Sequence, residues 1–142
     1  PTVLPTSGTF AYTMVGATRP TDNLGNVGTL NAASLTANFT TQKVDTSINA
    51  TVGVNNFVAT ASGMPIQGGA IFQASAGGGS GGGLTVTATG GAAATSTSGQ
   101  VVGAFTGQTG NGAALFYSLN KNGNILNNAS ALTVSGVAAF RR

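Results

Sequence analysis

From Val44 to Val52 the chain alternates without a break. Val44, Thr46, Ile48, Ala50 and Val52 fall on one side, and Asp45, Ser47, Asn49 and Thr51 on the other. Successive side chains of a strand point to opposite faces. This run therefore describes one dry face and one wet one, the signature of an antiparallel sheet covered on a single side. The same period recurs along the chain. Residues 9–15 place Phe10, Tyr12 and Met14 on one face, and residues 30–39 place Ala33, Leu35, Ala37 and Phe39. Residues 57–62 place Phe57, Ala59 and Ala61, and residues 84–89 set Leu84, Val86 and Ala88 against Thr85, Thr87 and Thr89. Residues 101–106, 113–120 and 131–140 complete the set, with a shorter segment at 70–75 whose facing is ambiguous because Ile71 and Phe72 are adjacent. The count is eight or nine strands, and no amphipathic helix is evident.

The connectors carry turn chemistry. Gly25-Asn26, Gly53 before Asn55-Asn56, and Gly110-Asn111-Gly112 all favour tight reversals, and Asn122-Gly123 predicts a hairpin. Pro20 and Pro65 lie at strand margins, where a missing N–H does no harm. Residues 77–83, GGGSGGG, predict a flexible loop, native or engineered, and residues 90–99 a loop rather than a helical turn. Many short strands with short connections predict a barrel or a sandwich. Closure is favoured, because so few charges could not guard an open sheet edge. The expected architecture is all-β, one soluble antiparallel up-and-down β-barrel of about eight strands over residues 9–142. An extended N-terminal arm or linker occupies residues 1–8.

Charge is scarce. Charged residues make up 5% of the chain, against roughly 25% in ordinary soluble proteins, so copies repel one another weakly. The bases Arg19, Lys43, Lys121, Arg141 and Arg142 form no stripe, which excludes a nucleic-acid footprint. No Cys is present, so neither a disulfide framework nor a thiolate metal site can form. Absent disulfides, together with a start at Pro1 rather than Met, predict an exported bacterial product with its signal peptide removed or a piece of a longer chain. An extracellular or cell-surface location is expected, ahead of the periplasm. No apolar run is long enough for a membrane-spanning helix. A membrane-spanning barrel is disfavoured because the second strand faces read as Thr, Ser and Asn.

Catalysis has little to work with. His, Cys and Glu are all missing, which removes the usual nucleophile–base pairs. Asp22 reads as the centre of a turn and Asp45 as a wet-face residue. No metal site and no cofactor are predicted. Tyr12, Met14, Met64 and Tyr117 read as packing residues rather than haem ligands. The ladder Thr85, Thr87, Thr89 suggests ordered water, but no internal repeat extends it, so it reads as ordinary strand propensity. Asn38, Asn49 and Asn128 head glycosylation sequons of the kind chance supplies in such a chain.

The blocks FAYTMVGATRPTDNLGNVGTLNAASLTANFTTQKVDTSI (10–48), GAFTGQTGNGAALFYSL (103–119) and VSGVAAF (134–140) carry a resemblance. They resemble the C-terminal region of large FecR-domain-containing bacterial proteins, and the ending is similar to the barrel domains of transferrin-binding-protein-B-like surface proteins. The resemblance implies an eight-stranded up-and-down barrel displayed outside the cell or in the periplasm. It transfers no ligand residue.

The expected function is a non-enzymatic module acting through protein–protein contact, foremost a self-associating subunit of a surface layer or filament. The alternative is a surface module binding haem or an iron-carrier protein. Expected partners are copies of itself, or another surface or host protein. The arm Pro1, Thr2, Val3, Leu4 and Pro5 is the candidate for pairing with another subunit. The loop Arg19, Pro20, Thr21, Asp22 and Asn23 is the second candidate contact.

Overall fold

A computed structural model describes residues 2–76, 83–123 and 131–142 of the protein. Pro1, most of the Gly77–Gly83 stretch and the Asn128 sequon lie outside the described residues. The strands are β1 (Thr9–Ala17), β2 (Thr21–Asp22), β3 (Thr29–Asn38), β4 (Lys43–Val52), β5 (Asn55–Pro65), β6 (Ile71–Ala76), β7 (Leu84–Thr89), β8 (Thr97–Thr106), β9 (Gly112–Lys121) and β10 (Leu132–Arg141). Nine of these are long enough to build the wall, one more than about eight. All described ladders are antiparallel, and no helix occurs among the described residues.

The sheet order is β6-β8-β9-β10-β1-β3-β4-β5-β7, with the short β2 laid on β10. From β8 round to β5 each strand lies beside its neighbour in sequence, and the last long strand pairs with the first, Met14 opposite Phe140. The simple order changes at one place: β5 pairs with β7, and β6 with β8. Antiparallel alternation through nine strands leaves β6 and β7 running the same way, and no described ladder joins them. The Thr97 hydroxyl donates to the Val86 carbonyl at 2.6 Å and ties β8 to β7 across this seam. The result is a nearly closed barrel. Bulges lie at Met14/Gly16, Leu30/Ala32 and Val44/Thr46, where an extra residue bends a strand and raises its twist.

Alternation sets the interior. Val44, Thr46, Ile48, Ala50 and Val52 are all buried, as the period of two predicts. Phe72 resolves the ambiguous strand by pointing inward, which turns Ile71 outward. Two of the largest inward rings face a glycine on the adjacent strand. Phe72 is opposite Gly103, and a Cβ on that glycine would run into the Phe72 ring; Tyr117 is opposite Gly136 in the same way. Burial pushes the Tyr117 phenol up to about 12, and its hydroxyl has no hydrogen-bond partner among the described residues. A buried donor left unmatched costs about 1–3 kcal/mol. Tyr117→Phe is therefore expected to leave stability unchanged or raise it by about 1 kcal/mol in urea unfolding; a clear loss would show that the hydroxyl has a partner after all.

Both ends are plugged. At the lower end, where the β3–β4 and β8–β9 turns lie, Phe105 stacks at 5.1–5.7 Å against Tyr12, Phe39 and Phe72. The Tyr12 hydroxyl donates to the Gly110 carbonyl. Burial raises the Tyr12 phenol above its ordinary value, and the nearby Arg142 guanidinium works against that rise. At the upper end Lys121 is buried and donates to Asn55 Oδ1 at 2.8 Å and to the Gly90 carbonyl at 3.1 Å. Neutral acceptors thus satisfy an ammonium that no carboxylate pairs. Gly53, at φ 60°, makes the first position of the two-residue β4–β5 turn. The Asn122-Gly123 hairpin expectation is corrected. β9 and β10 do pair, but Lys121 is opposite Leu132, so the connection spans 122–131, and Asn122 instead bonds Ser96 through backbone and side chain. Residues 90–96 form a loop without a helical turn, and β8 has begun by Thr97.

Candidate functional site

Inward residues fill the barrel, so anything that acts on another molecule sits on its outer wall or its ends. The outer wall has two contrasting halves, set by which residues the ladders bring side by side.

On β8, β9 and β10 the register puts Val137 opposite Phe116 and Phe116 opposite Val102, and on β6 the polar Gln73 ends that row. The next row toward the lower end is Ala139, Ala114, Ala104 and Ile71. These outward side chains form one apolar patch. Phe116 is 40% exposed, Val137 41% and Ile71 47%, with Val15 of β1 nearby at 64%. A shallow hollow of about 300 Å³ lies between Ile71, Val102, Ala104, Phe116 and Val137. Toward the upper end the same strands turn polar, through Ser135, Ser118, Gln100 and Ser75.

On β3, β4, β5 and β7 two of the outward rows are wholly polar. One row reads Ser34, Ser47, Thr60, Thr85, and another Thr29, Thr51, Asn56, Thr89. Between them the row through Asn49 and Thr87 includes the exceptions Ala32 and Val58. Asn31 and Asn56 each donate from Nδ2 to both Asn49 Oδ1 and Thr51 Oγ1, at 2.8–3.1 Å.

The two sites chosen from sequence sit at opposite ends, and the barrel engages both. In the arm, the Val3 N–H donates to the Gln108 carbonyl at 2.8 Å, and Leu4 packs beside Gly110 against the core. The Phe39 N–H donates to the Gly8 carbonyl at 2.8 Å, and the Arg142 guanidinium lies 4.2 Å above the Phe10 ring. Thr2 and Pro5 of the arm are half-buried.

In the loop, Thr21 and Asp22 form β2 against Ser135 and Val134, Pro20 is buried, and the Arg19 Nε–H donates to the Gly28 carbonyl at 2.9 Å. The Asn23 N–H donates to the Thr133 carbonyl, while Asn23 Oδ1 accepts from the Thr133 N–H. Asp22 closes the turn through Oδ1, which accepts from the Leu24 and Asn26 N–H groups, and through Oδ2, which accepts from Asn26 Nδ2. Desolvation of its carboxyl, the largest single influence, opposes ionisation. The donors from Asn26, Leu24 and Gly25 outweigh it and hold the acid below its ordinary value. Asp45 accepts from the Gly63 N–H at 2.7 Å across the β4–β5 bulge.

Tyr12, Met64 and Tyr117 are buried and Met14 half-buried, all packed with the core. Among the described residues no three of His, Cys, Asp and Glu gather to hold a metal ion.

The apolar patch is what the sequence reading missed. Its signal is visible in AALFY (113–117), VVGAF (101–105) and VAAF (137–140), where alternation fails because both faces are apolar. These three segments lie side by side at one end of adjacent strands. Compared with family models, curated proteins and solved structures, the chain matches none.

Proposed function

We propose that this chain is an exported bacterial module that works without catalysis, by protein–protein contact, and that its partner is a second copy docked on the apolar patch of β6, β8, β9 and β10. The observation that carries this reading is the row Val137–Phe116–Val102 with Ile71 beside it, which brings exposed apolar side chains together on one wall of the barrel. Burying such side chains is the main drive for association. A second copy suits the patch because its central rows carry no charge, and a chain with seven charged residues offers little long-range repulsion to its twin. The arm and the Arg19–Asn23 loop make their described contacts within the molecule, which leaves the wall as the better docking surface. Export and bacterial origin rest on the absence of Cys, the scarce charge and the resemblance to barrel domains of surface proteins.

The patch covers roughly 200 Å² of wall, two rows on three strands about 4.8 Å apart with Ile71 added from a fourth. A standard interface buries about 800 Å² on each partner. Association is therefore weak and concentration-dependent. Light scattering from about 10 μM to 1 mM is expected to show the mean mass rising toward two chains. A mass fixed at one chain across that range would refute the reading.

A further inference from the structure

We propose that the opposite wall, on β3, β4, β5 and β7, binds a neutral, hydroxyl-rich polymer, an extended polysaccharide chain. The inference stands apart from the apolar patch and does not depend on self-association. Its basis is a pair of polar rows that the ladder registers assemble from four strands, separated by a row in which Asn49 and Thr87 alternate with Ala32 and Val58. Ser34, Ser47, Thr60 and Thr85 lie in one row, and none of their hydroxyls has a partner among the described residues. Adjacent members of a row are about 4.8 Å apart and successive rows about 6.7 Å.

The neighbouring amides are preset. Asn49 Oδ1 and Thr51 Oγ1 are both taken up by the Nδ2 groups of Asn31 and Asn56. That leaves Asn49 Nδ2 as a donor, and the Oδ1 atoms of Asn31 and Asn56 as acceptors, for a molecule resting on the wall. Hydroxyls donate and accept alike, so the lattice can meet sugar hydroxyls in either sense.

Four features narrow the ligand. These rows carry no charge, which disfavours anionic polymers; Lys43 and Asp45 lie nearer the lower end. The rows present no aromatic ring, so a single sugar would gain no stacking. Each hydrogen bond exchanged with water contributes little net, so useful affinity requires many repeats on one chain, hence a polymer. Finally, the twist of a barrel wall suits a flexible chain better than a flat crystalline plane. This sets ordered-water or ice binding behind glycan binding, although the Thr85, Thr87, Thr89 ladder does gain neighbours here.

The test is native electrophoresis of the whole chain through gels cast with dextran, mannan, galactomannan or hydroxyethylcellulose. Retardation by at least one neutral polymer is expected. The triple variant Ser47→Ala, Thr60→Val, Thr85→Val should weaken it roughly tenfold or more while its thermal unfolding stays cooperative. Gln100→Ala, on the other wall and outside the apolar patch, should leave retardation unchanged. Migration unaffected by all four polymers would overturn the proposal. So would equal retardation of wild type and triple variant, or inhibition of ice growth by a chain that no polysaccharide retards.

Discussion

Phe105→Ala is expected to lower the stability of the barrel by about 3–5 kcal/mol, the largest effect of any single truncation considered for this chain. Phe105 is 3% exposed, and its ring meets Tyr12 from β1, Phe39 at the end of β3 and Phe72 from β6. It thereby joins strands far apart in the sheet order. One of them, β6, has a described ladder on a single side, to β8, so the Phe72–Phe105 contact helps to fix the seam. The backbone adds to this, since the Phe105 N–H donates to the Ala70 carbonyl at 2.9 Å just before β6 begins. The surrounding wall is a hydrogen-bonded ladder that cannot collapse onto the void, which places the cost toward the upper part of the usual range. Domains of this size are stable by roughly 5–15 kcal/mol, so much of the total is at stake. Urea unfolding followed by circular dichroism reads the change. Phe116→Ala is the control: same residue type, opposite face of the wall, 40% exposed, and expected to shift stability by less than about 1 kcal/mol. Equal losses in the two variants would mean that the inward–outward assignment of β8 or β9 is wrong.

That assignment was legible from sequence where one face of a strand is apolar and the other polar. Residues 44–52 and 84–89 are such cases, and their inward sets are those the alternation names, with Ala88 only partly buried. It was not legible for Ile71 and Phe72, since both are apolar and the choice depends on the space Gly103 leaves on β8. The exchange of β6 and β7 was hidden for another reason. Strand order depends on long-range pairing, and local turn signals say nothing about which neighbour a strand finds across a connection. The span of the β9–β10 connection was obscured by a strong local signal, Asn122-Gly123, which the Ser96 contacts override. As for the sites, sequence shows the arm and the Arg19–Asn23 loop but not the backbone groups 100 or so residues away that Val3 and Asn23 bond. The patch was present in the sequence as failed alternation in three segments, and only the registers reveal that these segments are adjacent.

Replacing Phe116 or Val137 by Lys is expected to abolish association of the chain with itself while leaving the fold intact. Both side chains point outward, directly opposite each other on β9 and β10, so a lysine stem can lie along the wall with its ammonium in water. In a two-fold contact every substituted residue appears twice. The dimer would then enclose two like charges near its centre, and burying unpaired ammonium groups costs more than a patch of this size supplies. Sedimentation or light scattering at a few hundred micromolar should show a mass near two chains for the wild type and one chain for either variant. The number of patches also fixes where assembly stops. One self-complementary surface yields a closed dimer, whereas a filament needs a second, different surface. Among the described residues, the other exposed large apolar side chains, Val3 at the lower end and Leu24, Val27 and Val54 at the upper, are material for such an end-to-end contact. Growth beyond two chains that survives Val137→Lys but is lost in Val54→Ser would move the working surface from the wall to the ends. Growth that stops at two and vanishes with Val137→Lys would place it on β6, β8, β9 and β10, and a wild-type chain that stays monomeric would remove self-association from consideration.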